Sequence, residues 1–454
     1  MRSATAGGQG LVLGRSPGGW VRAGPEEAVL VLGPPRSGKT SAVVVPNVLA
    51  ASGPVLSTST KPDVLAATVA ARSRVGRCFV YDPTGVVGPH PEAEPLRWSP
   101  VAAAQDWDRA LTMTAAMVGA ARPARGVEEA THWTERAGAL LAPLLHAAHL
   151  GGLDMRQLLS WVNRRQAAPA VEILAGAGEP AALACDLLSG IISSEDRELS
   201  AIWSTASGVL SAYRSEAALA STDQPNFDPA ALVESADTVY VCAPGQHQAA
   251  VAPLVVGLVD SVRAARYQAA VAGGDAPALL LMLDEAANIA PLPQLPAMVS
   301  EGGGQGLLTT VCLQDLSQAR SRWGAAADGF LTLFGTKLLL AGIADTRTLA
   351  AVSALAGDTD VAVSSTTSAG WRRRRSRTWA SRRQPVLAVD EIRAGQPGCA
   401  LVMQGDRPPG WVGLTPWYRD RHWQALADPT RTAALGRARG AGLARPDASR
   451  SLER

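Results

Sequence analysis

The sequence predicts an α/β fold: a mainly parallel sheet flanked by helices, with an all-α region inserted into it. Three observations carry that prediction. Short apolar runs alternate with helical patterns near both ends of the chain, which is what crossover helices impose on a parallel sheet. A glycine-bounded loop follows directly on the first of these runs. Between about residues 101 and 236 the strand-like runs vanish and Ala/Leu stripes at helical spacing replace them.

Residues 1–25 show no strong pattern. The first apolar run, 28–32, breaks into Gly33-Pro34-Pro35-Arg36-Ser37-Gly38-Lys39-Thr40, with Ser41 next. This fits G-x-x-x-x-G-K-[ST] between a strand and a helix, the context a phosphate-binding loop requires. Gly33 and Gly38 let backbone N–H groups turn inward around phosphate oxygens, and the following helix presents its positive end. Lys39 is expected to reach the β- and γ-phosphates, and Thr40 to ligate Mg²⁺. The expected nucleotide-binding set is therefore Gly33, Pro34, Pro35, Arg36, Ser37, Gly38, Lys39, Thr40 and Ser41.

A second strand is expected over 55–58 and a helix from Lys61-Pro62-Asp63 to Arg72. A third strand covers 77–81 and ends in the turn Asp82-Pro83-Thr84-Gly85. The helical region then begins. Trp133, Ala137, Leu140, Leu141, Leu144 and Leu145 share one helical face, as do Leu199, Ile202, Trp203, Ala206, Val209, Leu210 and Tyr213. Asp154 with Gln157, and Asp228 before Pro229, read as helix starts. Alternation resumes with strands at 238–242, 278–283, 307–313, 337–340 and 398–405. Helices are expected over 249–270 and 346–355. The expected division is 1–100 and 237–427 as two parts of one nucleotide-binding domain, 101–236 as the inserted all-α domain, and 428–454 as a disordered tail.

The run 279–285 reads LLLMLDE, a buried strand that delivers two carboxylates at its end. Asp284 is placed to hold Mg²⁺ and Glu285 to polarise the attacking water. Gln314 ends the next strand and is expected to sense the γ-phosphate. An arginine acting in trans would complete such a site, and Arg347 is the first candidate, Arg375 a second.

The net charge of +2 excludes a uniformly basic nucleic-acid binder, so any such contact needs a local patch. One exists: Trp371 is followed by Arg372, Arg373, Arg374, Arg375 and Arg377, with Trp379, Arg382 and Arg383 close behind. Interleaved Arg and Trp suit single-stranded nucleic acid, where Arg meets phosphate and indole stacks on bases. A solvated, flexible loop is the competing account. Lysine is rare, limited to Lys39, Lys61 and Lys337. The cysteines Cys78, Cys185, Cys242, Cys312 and Cys399 include no C-x-x-C pair and read as free thiols. His146 and His149 share a helix face but read as ordinary core or rim residues. The chain opens without a signal-peptide pattern. No window of about 18 uninterrupted apolar residues occurs, so no membrane span is expected.

The order of parts resembles the coupling-protein ATPases of type IV secretion and bacterial conjugation, the TraG/TraD-like family, and most of all its actinobacterial branch. The matching stretches are GPPRSGKT, STSTKPD, YDPTG, HWTERAGALL, LLLMLDEAANIAPLPQLP, TVCLQDLSQAR, TKLLLAGIADTRTLAAVSALAG and VDEIRAGQPGCALVMQGDRPP, together covering about 25–415. The resemblance implies a RecA-like P-loop NTPase domain carrying an all-α domain, assembled as a homo-hexamer with ATP and Mg²⁺ between subunits. It implies recruitment of a relaxase–single-stranded DNA complex, or a protein, toward a type IV secretion channel. Implied partners are a relaxosome accessory protein, contacted by the region after Asp284, and a channel ATPase or membrane component. Many members carry D-P-K-G-E where this chain has Ser59-Thr60-Lys61-Pro62-Asp63. Members often have N-terminal transmembrane helices, and none is expected here, so membrane docking would need a partner and the chain is expected to be cytoplasmic and peripheral on the cytoplasmic face of the plasma membrane. Two other functions are weighed: a double-stranded DNA pump of the chromosome-partitioning kind, and a substrate receptor in which ATP only switches conformation.

Overall fold

Strands buried on both faces need near-continuous apolar runs, and the central strands of this chain supply them. The computed structural model describes residues 10–121, 128–244, 248–274, 276–369 and 374–428. In chain order its strands are β1 (Val12–Ser16), β2 (Gly19–Arg22), β3 (Val29–Leu32), β4 (Val55–Ser59), β5 (Cys78–Tyr81), β6 (Glu94–Pro95), β7 (Thr238–Cys242), β8 (Leu279–Leu283) and β9 (Leu307–Leu313). There follow β10 (Thr336–Leu340), β11 (Asp358–Ala369), β12 (Arg374–Pro385), β13 (Cys399–Gln404) and β14 (Gly410–Gly413).

Twelve of these form one sheet in the order β2-β1-β14-β13-β10-β3-β9-β8-β4-β7-β5-β6. From β10 to β6 all neighbours are parallel. From β10 outward to β2 they are antiparallel. Alternate residues of the central strands enter two separate cores. Leu30, Leu32, Leu56, Leu279, Leu281 and Leu283 face one way. Val29, Val31, Val55, Leu280 and Met282 face the other. This two-sided burial is what the unbroken apolar runs record.

Between β6 and β7 the chain is helical, from Pro100–Ala103 through the long helices Trp107–Ala121 and Glu128–Leu150 to Pro229–Val233. These helices share one apolar core with a face of the sheet. Asp154 caps Met155–Arg164 by accepting from the Gln157 N–H, and Asp228 caps Pro229–Val233 through the Ala230 N–H. His146 and His149 contact the carbonyls of Ala104 and Val101 through Nδ1, which accounts for both without a metal. Among the described residues no group of histidines, cysteines and acids is set to hold a metal ion. No described helix is long and apolar enough to cross a membrane.

Two stretches differ from expectation. The patternless opening of the chain contains β1 and β2, which extend the sheet beyond β14. β1 pairs with β2 beside it and with β14 about 400 residues away, and the Val12 N–H and carbonyl also bond the Asn47 side chain. Both strands are short and only partly buried, so little local periodicity marks them. The Ser/Thr/Arg stretch is a regular hairpin: β11 and β12 pair without interruption from Asp358↔Pro385 to Ala369↔Arg374. It forms its own two-stranded sheet. Twelve residues per strand reach about 40 Å. The expected tail after 428 and the residues Arg372 and Arg373 lie outside the described residues.

Candidate nucleotide site

The loop 33–40 connects β3 to a helix that opens with a wide turn over Thr40–Val44 and continues as Val45–Ala50. Gly38 holds φ near 100° and Arg36 near 64°, the left-handed values that fold the loop back on itself. A Cβ on Gly33 would stand 2.7 Å from Ser37 Oγ and 2.9 Å from Leu340 Cβ, so only glycine fits under the loop. Lys39 is 6% exposed, and its Nζ donates to the carbonyls of Gly33 (2.5 Å) and Pro34 (3.1 Å). The ammonium thus closes the loop from inside.

The sheet order brings the rest of the site to this loop. β9 lies between β3 and β8, so the carboxyl ends of the three strands are adjacent. Asp284, at the end of β8, accepts a hydrogen bond from the Thr40 hydroxyl at 2.6 Å across 244 residues of chain. The Asp284 carbonyl accepts from Thr58 Oγ1 on β4 at 3.0 Å. Burial pushes the Asp284 carboxyl up to about 6. The Thr40 hydrogen bond and Lys39 oppose that shift, while Glu285 and Asp63 add to it. A cation at this edge would favour the charged carboxylate.

Glu285 adopts a left-handed backbone, φ 53°, and heads the short helix Ala286–Ile289. Such a conformation is costly for a residue with a side chain and is found where a site needs it. Its Oε2 accepts from Asn288 Nδ2 at 3.3 Å. Gln314 follows β9, between the loop and the acids, and its N–H is held by Gln318 Oε1 at 2.9 Å. Gly33 N–H bonds the Leu313 carbonyl, locking this strand end to the loop.

Two features fit a phosphate and a divalent cation at this edge. Ser37 Oγ is buried with no hydrogen-bond partner among the described residues. The Thr40–Asp284 pair offers a hydroxyl and a carboxylate, the hard oxygen donors that Mg²⁺ takes.

Other predicted residues stand apart. Arg347 lies in the first turn of Thr346–Ala356, 68% exposed, 3.6 Å from the exposed Asp328. Lys61 is exposed, while its neighbour Asp63 accepts from Ser59 Oγ. In the hairpin, the Arg377 guanidinium sits 5.2 Å from the Trp379 ring centroid, and that indole is 63% exposed. Arg374 and Arg375 pair in β12 with Ala369 and Ser368. Thr58 was not singled out in the sequence. Only its ladder position opposite Leu283, one residue from Asp284, reveals it.

Among curated proteins, no sequence matches the chain significantly. Solved structures do. The bacterial conjugative coupling protein TrwBdeltaN70, in an unbound form, aligns with a TM-score of 0.69 at 18% identity, over 90% of this chain and 89% of that one. Plasmid coupling protein TrwB in complex with ADP and Mg²⁺ aligns with a TM-score of 0.64 at 19% identity, over 86% of both chains. TrwB with the ATP analogue ADPNP aligns with a TM-score of 0.65 at 20% identity, over 86% and 87%. These likenesses establish the RecA-like P-loop NTPase fold. A family model for type IV secretory system conjugative DNA transfer matches residues 5–437, and the chain belongs to that family.

Proposed function

We propose that this protein is an ATP-hydrolysing coupling protein that recruits a relaxase–single-stranded DNA complex, or a protein, and drives it toward a type IV secretion channel. The observation that carries the proposal is the 2.6 Å bond from Thr40 to Asp284, which joins the phosphate loop and the acidic strand end at one sheet edge. TrwB, which shares the fold, was solved with ADP and Mg²⁺ and with ADPNP, and that supports ATP as the ligand here.

In the proposed mechanism Lys39 leaves the Gly33 and Pro34 carbonyls for the β- and γ-phosphates. The loop N–H groups and Ser37 Oγ donate to phosphate oxygens. Thr40 and Asp284 would hold Mg²⁺, which would supply charge neutralisation on the phosphates. Glu285 orients a water in line with the bond from the γ-phosphorus to the bridging oxygen. The water oxygen bonds the γ-phosphorus as that bond breaks, its proton passing to Glu285 or the released phosphate, which gives ADP and inorganic phosphate, and Gln314 passes the change to the helix that follows it. An arginine from a neighbouring subunit of a hexameric ring, Arg347 or Arg375, completes the charge. Arg372, Arg373, Arg374, Arg375 and Arg377 supply a DNA contact on the hairpin. A relaxosome accessory protein, the channel ATPase and a peripheral site on the membrane's cytoplasmic face complete the proposed setting.

The test is ATP turnover with no DNA, single-stranded DNA and duplex DNA. Lys39→Ala should abolish turnover, and Glu285→Gln should bind ATP without cleaving it. Normal turnover by Glu285→Gln overturns the assignment of the water-orienting residue. Stimulation by duplex alone favours a double-stranded pump. ATP binding without any hydrolysis favours a switched receptor.

A further inference from the structure

Of the three lysines in the chain, Lys39 belongs to the phosphate loop and Lys61 is exposed. Lys337 has neither explanation. It lies in β10, its backbone paired with Leu30 and Met403, and is 7% exposed. Its ammonium has no hydrogen bond or ion pair among the described residues. Burial lowers its pKa, and Glu27 pulls the other way. Glu27 is itself taken by the Thr336 hydroxyl and the Gly24 N–H. A buried cation without a bonded acid is costly unless an anion arrives to meet it.

Lys337 lines an open groove of about 400 Å³. Ala356 and Val386, which flank the hairpin β11–β12 at its root, line it together with Met403, Asp406 and Arg407. Asp406 and Arg407 are exposed, so solvent screens both, whereas Lys337 is mostly buried and is screened less. The hairpin above carries seven arginines against two aspartates over 358–385. A polyanion held along it as far as its root would reach this groove.

We propose that the groove is a phosphodiester subsite: single-stranded DNA lying along the hairpin places a backbone phosphate between Lys337 and Arg407. This rests on the hairpin as a DNA contact. Each phosphate contact on a single strand contributes about 0.7 to the slope of log affinity against log salt. Lys337→Met, unbranched, one heavy atom shorter and uncharged, should therefore make that slope shallower by about 0.7 and weaken binding about tenfold at low salt.

A second measurement uses the unaltered protein. An amine-acylating reagent followed by mass spectrometry reads the three lysines separately. Saturating single-stranded DNA should slow labelling of Lys337 and leave Lys61 unchanged, while an ATP analogue should protect Lys39. An unchanged salt slope in Lys337→Met, or full labelling of Lys337 in the DNA complex, overturns the proposal. Substituting Arg377, Arg382 and Arg383 by Ala tests the hairpin separately. If that variant binds DNA normally the hairpin contact is wrong, and protection of Lys337 still decides the groove.

Discussion

Asp345 shows how one side chain ties the segment after β9 to the helix that carries the hairpin. It caps Thr346–Ala356 by accepting from the Thr348 N–H and hydroxyl, and it accepts from Arg320 at 2.8 Å. Thr348 in turn accepts from the Leu316 N–H, two residues beyond Gln314. Burial alone would raise the Asp345 carboxyl, but the bonds from Thr348 and Arg320 outweigh it and hold the pKa below the ordinary value. A carboxyl depressed in the folded state contributes stability above its unfolded pKa and loses it as pH falls through the folded one. Asp345→Ala should cost about 1–2 kcal/mol at neutral pH in urea unfolding. That deficit should shrink as the pH is taken below about 4. Arg347 behaves differently, because an exposed pair contributes little. Arg347→Ala should change stability by less than about 0.5 kcal/mol. If it acts across a subunit boundary, turnover collapses all the same, and equal turnover removes it from the site.

At the scale of elements, Arg72 binds the sheet's amino edge together. Its guanidinium is buried and donates to the carbonyls of Ala51, Gly53 and Ala236 and to Thr238 Oγ1. Arg72→Met leaves those acceptors unpaired and should cost about 3–5 kcal/mol, read from the urea midpoint. The hairpin is the opposite case. Every side chain described from Asp358 to Ser365 and from Trp379 to Val386 is exposed. Replacing 359–384 with a short glycine turn should leave the melting temperature within a few degrees, because almost no apolar area is lost. DNA affinity should fall and lose most of its salt dependence. A stability loss as large as that of Arg72→Met would mean the hairpin packs on the body. The same contrast explains what could be read in advance. β3, β8 and β9 announce themselves because both faces are buried. The described side chains of β11 and β12 are exposed on both faces, so no burial leaves an alternating mark. The positions of Gln314, Asp284 and the phosphate loop at the ends of β9, β8 and β3 were legible because each closes an apolar run. Thr58 was not, because its role depends on β4 lying beside β8.

For the whole molecule, charge is segregated rather than uniform. The hairpin is strongly cationic while the full chain is only +2, which leaves the remainder net acidic. The body should therefore repel DNA and the hairpin should account for most of its capture, with an affinity that falls steeply with salt. The eight-residue loop motif was determined by the sequence alone, because the glycines and the lysine that shape a phosphate cradle are neighbours in the chain. So was the parallel, two-faced sheet, because strands buried on both sides demand unbroken apolar runs. Only the tertiary structure decided that Thr40 meets Asp284 across 244 residues, that the opening residues pair with β14, and that Lys337 faces a groove at the hairpin's root. Those contacts follow from the order in which distant strands pair, and no local window of residues encodes that order.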